Sequence, residues 1–153
     1  MAVSCQVAVF SHFPLQYFRM SQFSLPIRVY IEDTDAGGIV YYANYLRFME
    51  RARTEWLREC GIELDVWQHE KRRLFVVRSV QVDYLAPARF NDQLTVTASL
   101  KSMRTASVVC EQNVMRGDTV LTSSTVGLVC VDADKLAACA IPTEIREAIS
   151  REF

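Results

Sequence analysis

The stretch IRVYIEDTDAGGIVYYANYLRFMERARTEWL, residues 27–57, decides how the chain folds. PIRVYI at 26–31 alternates and is rich in β-formers, so it predicts a short strand. That run stops at Glu-Asp-Thr-Asp-Ala-Gly-Gly and hands over to a helix. Asn44 is the expected N-cap. From there Tyr45, Phe48, Met49, Ala52, Trp56 and Cys60 recur at three- and four-residue spacing, which makes one apolar helix face. Arg47, Glu50, Arg51, Arg53, Glu55 and Arg58 occupy the remaining positions, and Gly61 supplies the stop.

Downstream the period changes. Residues 62–73 are mixed and end in the basic run Lys71-Arg72-Arg73. Segments 74–84, 93–103, 106–116 and 119–131 then read as strands. In the second of these Leu94, Val96, Ala98 and Leu100 share one face, and Thr95, Thr97, Ser99 and Lys101 the other. The separators are turn-like: 87–92, Arg104-Thr105 and Gly117-Asp118. The last two are tight enough to join antiparallel neighbours. A final helix is expected after Pro142, through Ile145, Ala148 and Ile149. Successive strands without crossover helices mean an α+β fold. One long helix with a wide apolar face and one sheet to cover it imply a curved antiparallel sheet wrapped around a central helix.

The composition bounds what such a domain does. At 153 residues, 50% of them hydrophobic, the chain is about one domain long and can bury a core. A formal net charge of -1 argues against nucleic acid as partner. No apolar run approaches the roughly 18 residues of a membrane-spanning helix. The five cysteines are scattered without a C-x-x-C pair, so neither a disulfide scaffold nor a metal site is indicated. They read as free thiols of a reducing, cytoplasmic setting. Residues 1–19 have neither a basic leader nor a small-residue cleavage site, and follow no clean period. Met20 offers an alternative start, so 1–19 is expected to be a dispensable extension and 20–153 the single domain.

The acidic junction suits either a tight turn or a reaction centre. Gly37 and Gly38 give the freedom a turn needs. A calcium loop is excluded, since counting from Asp33 puts Gly37 and Asn44 where that loop needs oxygen ligands. A phosphotransferase aspartate loop of the haloacid-dehalogenase kind needs a parallel fold and further acidic motifs. The remaining reading uses the helix that follows. A carboxylate just ahead of a helix lies near N–H groups without intrahelical partners, which can hold an oxyanion. That pairing suits acyl transfer. His12 and His69 stand far from the junction in sequence, and no G-x-S-x-G or Cys–His signature competes.

The block EDTDAGGIVYYANYLRFMERARTE at 32–55 is joined by FVVR at 75–78, Y-x-A-P-A-R-x-x-D at 84–92 and MRTAS at 103–107. Together they resemble hotdog-fold thioesterases of the 4-hydroxybenzoyl-CoA thioesterase family, most of all the Tol–Pal-associated (YbgC-type) acyl-CoA thioesterases. The likeness runs over roughly residues 25–146. It implies hydrolysis of an acyl-CoA to free acid and coenzyme A, with no cofactor and no metal. Asp35 is the implied catalytic carboxylate, as nucleophile or general base, and the backbone N–H of Tyr42 the implied oxyanion donor. Arg104, Thr105 and Ser107 lie where the family binds the phosphates of coenzyme A. Arg78, interrupting an apolar strand, either enters the site or pairs with a carboxylate. Asp33, Gly37 and Gly38 are implied loop residues, with Glu32 beside them.

There is one departure. Many of these relatives carry His where this chain has Tyr42, and a phenol, with an ordinary pKa near about 10, does not replace imidazole as a neutral-pH base. The rival reading is therefore a hotdog module that binds acyl groups or acyl carrier protein with little or no hydrolysis. Either reading implies a homodimer or homotetramer, in which the phosphate-binding residues come from a different subunit than Asp35.

Overall fold

The computed structural model describes residues 22–151. The extension expected at 1–19 lies outside the described residues. Strands β1 (Phe23–Arg28), β2 (Arg73–Tyr84), β3 (Gln93–Met103), β4 (Ser107–Arg116), β5 (Thr119–Asp132) and β6 (Ala137–Ala138) form one antiparallel sheet. Its order is β1-β3-β4-β5-β2, with the short β6 alongside the end of β5. Helix α1 (Tyr42–Glu59) lies against β1, β3 and β4, α2 (Leu64–His69) leads into β2, and α3 (Thr143–Arg151) closes the far end. This is the curved sheet around one long helix that the sequence implies.

The apolar stripe of α1 does what its period predicts: Tyr45, Phe48, Met49, Ala52 and Trp56 are all buried. They meet Leu94, Val96 and Ala98 of β3, each fully buried. The helix closes through Gly61, φ +80°, with the Gly61 N–H on the Arg58 carbonyl at 2.9 Å and the Ile62 N–H on that of Leu57 at 2.8 Å. In α3, Ile145, Ala148 and Ile149 are buried as expected.

Four expectations need correction. The first strand is Phe23–Arg28 rather than 26–31, and Ile31–Asp33 is a single 3₁₀ turn. Tyr30 and Ile31 are apolar yet 61% and 68% exposed, because the chain leaves the sheet there to build the acidic turn. The N-cap of α1 is Tyr41, not Asn44. Asn44 sits inside the first turn and donates its side-chain amide to the Asp33 carbonyl at 2.9 Å. Residues 62–73, read only as mixed, contain α2. Arg53, assigned to the polar face, is buried to 6% exposure. It donates to Gln112 Oε1 at 2.6 Å and pairs with Glu50 at the rim. Gln112, fully buried on β4, in turn donates to the Met49 carbonyl at 3.0 Å, so helix and sheet are joined through one polar bridge.

A second bridge joins the helix to the loop after β2. The buried Ala88 N–H donates to the Tyr45 hydroxyl at 2.9 Å. Tyr45→Phe strands that N–H and is expected to lower stability by about 1–3 kcal/mol. Thermal unfolding should show a Tm lower by roughly 3–10 °C, and an unchanged Tm would rule the bridge out as a stabilising feature.

Candidate active site

The acidic junction is a closed turn. Thr34 bridges Val40, and the Asp35 N–H donates to the Ile39 carbonyl at 2.9 Å. The Gly38 N–H returns to the Asp35 carbonyl at 3.0 Å, with Gly38 at φ +75°, where a side chain would be strained. Inside the turn the Gly37 N–H donates to Asp35 Oδ1 at 2.7 Å, which orients an otherwise exposed carboxylate. A Cβ on Gly37 would stand 3.0 Å from that same oxygen.

Asp33 serves the frame. Its carboxylate accepts the Tyr30 N–H at 2.8 Å, and its carbonyl accepts the Tyr41 N–H at 2.9 Å and the Asn44 amide. Glu32 is exposed. The turn is thus tied from both sides to the entry of α1. At that entry the N–H groups of Tyr42 and Ala43 meet no acceptor among the described residues. They are the unpaired donors every helix start leaves, at the positive end of its dipole.

A cavity of about 300 Å³ opens beside the helix entry, lined by Ile39, Val40, Tyr42, Tyr45, Tyr84, Leu85, Ala86 and Pro87. Asp35 is not itself in the lining; it is joined to it through Ile39. Tyr84 stands edge-on to both Tyr42 and Tyr45, with ring centres 6.2 and 5.6 Å away. Its hydroxyl donates to the Tyr42 carbonyl at 3.1 Å. Burial pushes the Tyr84 and Tyr45 phenols above the usual tyrosine range, so both are protonated at neutral pH. Tyr42, whose side chain was in question for want of a histidine, is thus one wall of an aromatic pocket.

The Y-x-A-P-A-R-x-x-D block at 84–92 gives this wall its shape. Asp92 Oδ2 accepts the Arg89 N–H at 2.8 Å and Arg116 Nη1 at 2.7 Å. Partial burial would raise its carboxyl, but those donors outweigh it and hold the group below the usual aspartate value. The Ala88 carbonyl accepts the Val40 N–H at 2.9 Å, and Ile39 bridges Arg89, so the loop is stitched to the acidic turn.

The expected substrate-binding residues lie elsewhere. Arg104, Thr105 and Ser107 form the β3–β4 turn, where the Arg104 N–H donates to the Ser107 carbonyl at 2.8 Å. The acidic turn is anchored at the opposite end of β3, next to Asp92. Eleven residues of β3 separate the two places, about 33 Å along an extended strand. Arg78 is the unmatched residue of a bulge in β2, between the paired Val77 and Ser79; it is exposed and has no carboxylate partner among the described residues. One chain therefore brings Asp35 and Tyr42 to the same corner and leaves Arg104, Thr105 and Ser107 at the other. Tyr84, which opens the 84–92 motif, and Leu85 carry no sequence signal of a pocket role, because nothing in their own periodicity places them against the helix entry.

Comparison with known proteins agrees with this architecture. Residues 29–149 match the family described as the thioesterase-like superfamily. The chain is 42% identical over 126 residues to the acyl-CoA thioesterase YbgC of Haemophilus influenzae, covering 82% of this chain and 93% of that protein. It is 45% identical over 124 residues to the acyl-CoA thioester hydrolase YbgC of Escherichia coli, covering 80% and 92%. Among solved structures, a 1,4-dihydroxy-2-naphthoyl-CoA thioesterase from Synechocystis superposes with a TM-score of 0.79 at 21% identity, over 85% of this chain and 96% of that one. At that identity the likeness is one of fold.

Proposed function

The chain belongs to the thioesterase-like superfamily as a YbgC-type hotdog acyl-CoA thioesterase, and we propose that Asp35 and the Tyr42 N–H carry out its hydrolysis. The observation behind this reading is the closed turn that fixes a carboxylate just ahead of unpaired helix-entry donors. The thioester carbonyl oxygen takes the Tyr42 N–H, where negative charge develops as the carbonyl carbon becomes tetrahedral. Asp35 either attacks that carbon, giving a mixed anhydride that water cleaves, or removes a proton from the attacking water. The leaving thiolate is coenzyme A, and neither route calls for a cofactor.

The acting unit is a homodimer or a larger assembly of dimers. Three features favour this. The turn with Arg104, Thr105 and Ser107 is too far from Asp35 within one chain to bind the same coenzyme A. The β2 edge is twelve residues long, with Val76, Val77 and Val80 exposed, whereas the other edge, β1, is short and carries Pro26, which cannot donate to a new strand. Pairing of two copies along β2 covers those valines. Arg104 suits a phosphate through paired N–H donation, and Arg78 on the edge strand joins the same rim. Among the described residues no helix is long and apolar enough to cross a membrane; the cytoplasm, where acyl-CoA is made and used, is the proposed setting, with acyl carrier protein as a second source of thioester.

Free-thiol release from short-chain, long-chain and aromatic acyl-CoAs tests the reading. Turnover of any of them supports it and ranks the substrates. A folded oligomer that releases thiol from none would favour the binding-module alternative. A finer test addresses the turn. Gly37→Ala crowds Asp35 Oδ1 and turns the carboxylate off its N–H donor. The loss of about one hydrogen bond's worth of orientation should lower kcat roughly tenfold with Tm nearly unchanged. An unchanged kcat would mean that the turn does not orient the reacting group.

A further inference from the structure

We propose that Cys130 and Cys139 are a reversible dithiol–disulfide site that takes a small-molecule disulfide as its co-reactant. Cys130 lies on β5 and Cys139 just beyond β6. Their sulfurs stand 3.7 Å apart, and the Cys139 N–H donates to the Cys130 carbonyl at 2.9 Å. The backbones are therefore already in register, and a small side-chain adjustment brings the sulfurs to the bonding distance of about 2.05 Å.

The two thiols differ in access, which sets the order of events. Cys139 is half-buried and reachable from solvent, whereas Cys130 is fully buried. Burial and the neighbouring thiol push Cys130 up to about 12, so entry is through Cys139. Its thiolate attacks one sulfur of a disulfide R–S–S–R and expels a thiolate that takes up a proton as R–SH. Cys130 then attacks the Cys139 sulfur, and its proton passes to the departing thiolate, which leaves as the second R–SH. Two protein thiols are oxidised and one disulfide is reduced to two thiols.

The site bears on the β3–β4 turn. The Cys130 N–H donates to the Ala106 carbonyl at 2.8 Å, and Ile141, two residues past Cys139, donates to the Thr105 carbonyl at 2.8 Å. Arg146 Nη1 reaches the Arg104 carbonyl at 2.6 Å. Joining the sulfurs draws in the segment that holds this turn, and with it the residues proposed to bind coenzyme A. That functional consequence rests on the proposed reading of Arg104–Ser107; the chemistry of the thiols does not.

The experiment uses the full chain, exposed to glutathione disulfide, blocked with an alkylating agent and cut with trypsin. Cleavage at Arg116, Lys135 and Arg146 separates the two cysteines into peptides 117–135 and 136–146. The expected result is a linked pair of these peptides, a loss of two hydrogens from the intact mass, reversal by dithiothreitol, and no linked pair in Cys139→Ser. A persistent glutathione adduct without the linked pair, or no reaction at all, would overturn the site without reference to any turnover. In the oxidised protein KM for acyl-CoA should rise at least about threefold with kcat within about twofold, and Cys139→Ser should not respond. Linked peptides with KM unchanged would overturn the connection to the turn.

Discussion

Asp35→Asn is expected to lower kcat for thioester hydrolysis by about 10²–10⁴-fold and to leave the fold and KM nearly as they were. The substitution is close to isosteric. The asparagine side-chain oxygen still accepts the Gly37 N–H, and the backbone bonds of the turn, Asp35 to Ile39 and Gly38 to Asp35, do not involve the side chain. What disappears is the negative charge, and with it both the ability to attack a carbonyl carbon and the ability to take a proton from water. The Tyr42 N–H is untouched, so a residual rate is expected from oxyanion stabilisation alone. Thiol release by wild type and variant at saturating acyl-CoA measures the ratio. A variant within about threefold of wild type would remove Asp35 from the chemistry.

The largest stability effect is expected at the polar bridge under α1. Gln112→Leu leaves the buried Arg53 guanidinium without its sheet-side acceptor and removes the donor to the Met49 carbonyl. A buried cation that loses a partner costs roughly 3 kcal/mol, so Tm should fall about 6–12 °C. Arg53→Met does the reverse, leaving Gln112 Oε1 buried and unpaired, at about 1–3 kcal/mol. The double variant strands neither partner, and its loss should be smaller than the sum of the single losses by about 1–3 kcal/mol. Strict additivity would show that the two side chains stabilise the protein independently.

Arg53 also shows where the sequence stops being readable. The stripe Tyr45, Phe48, Met49, Ala52 and Trp56 is legible because each member repeats the helical period. Arg53 belongs to the buried face because Gln112, 59 residues later, waits for it, and no local pattern encodes that. The same holds for the expected cap: Asn44 is a good N-cap residue, but its amide is claimed by the Asp33 carbonyl, and the helix starts earlier, at Tyr42. Tyr30 and Ile31 continue an alternation that the acidic turn interrupts. The turn itself was readable, since aspartate and paired glycines just ahead of a helix leave few structural options. The aromatic pocket was not, because its walls come from the helix entry, the end of β2 and the loop behind it, three places that meet only in space. The separation between Asp35 and Arg104 follows from the length and direction of β3, which the alternation did give.

The strand order has a temporal side. β2 is made before β3, β4 and β5, yet its one strand partner among the described residues is β5. The nearest pair, Tyr84 with Thr122, is 38 residues apart in sequence, and the farthest, Arg73 with Asp132, is 59. At about 5–20 residues per second the ribosome takes roughly 2–12 s to supply that partner. Through this interval a twelve-residue strand rich in valine has no ladder to join. The hairpins β3–β4 and β4–β5 join sequence neighbours, whereas β2 pairs only across a long loop, which costs more entropy to close. What β5 supplies on arrival is the missing ladder, while Val76, Val77 and Val80 stay exposed on the folded chain.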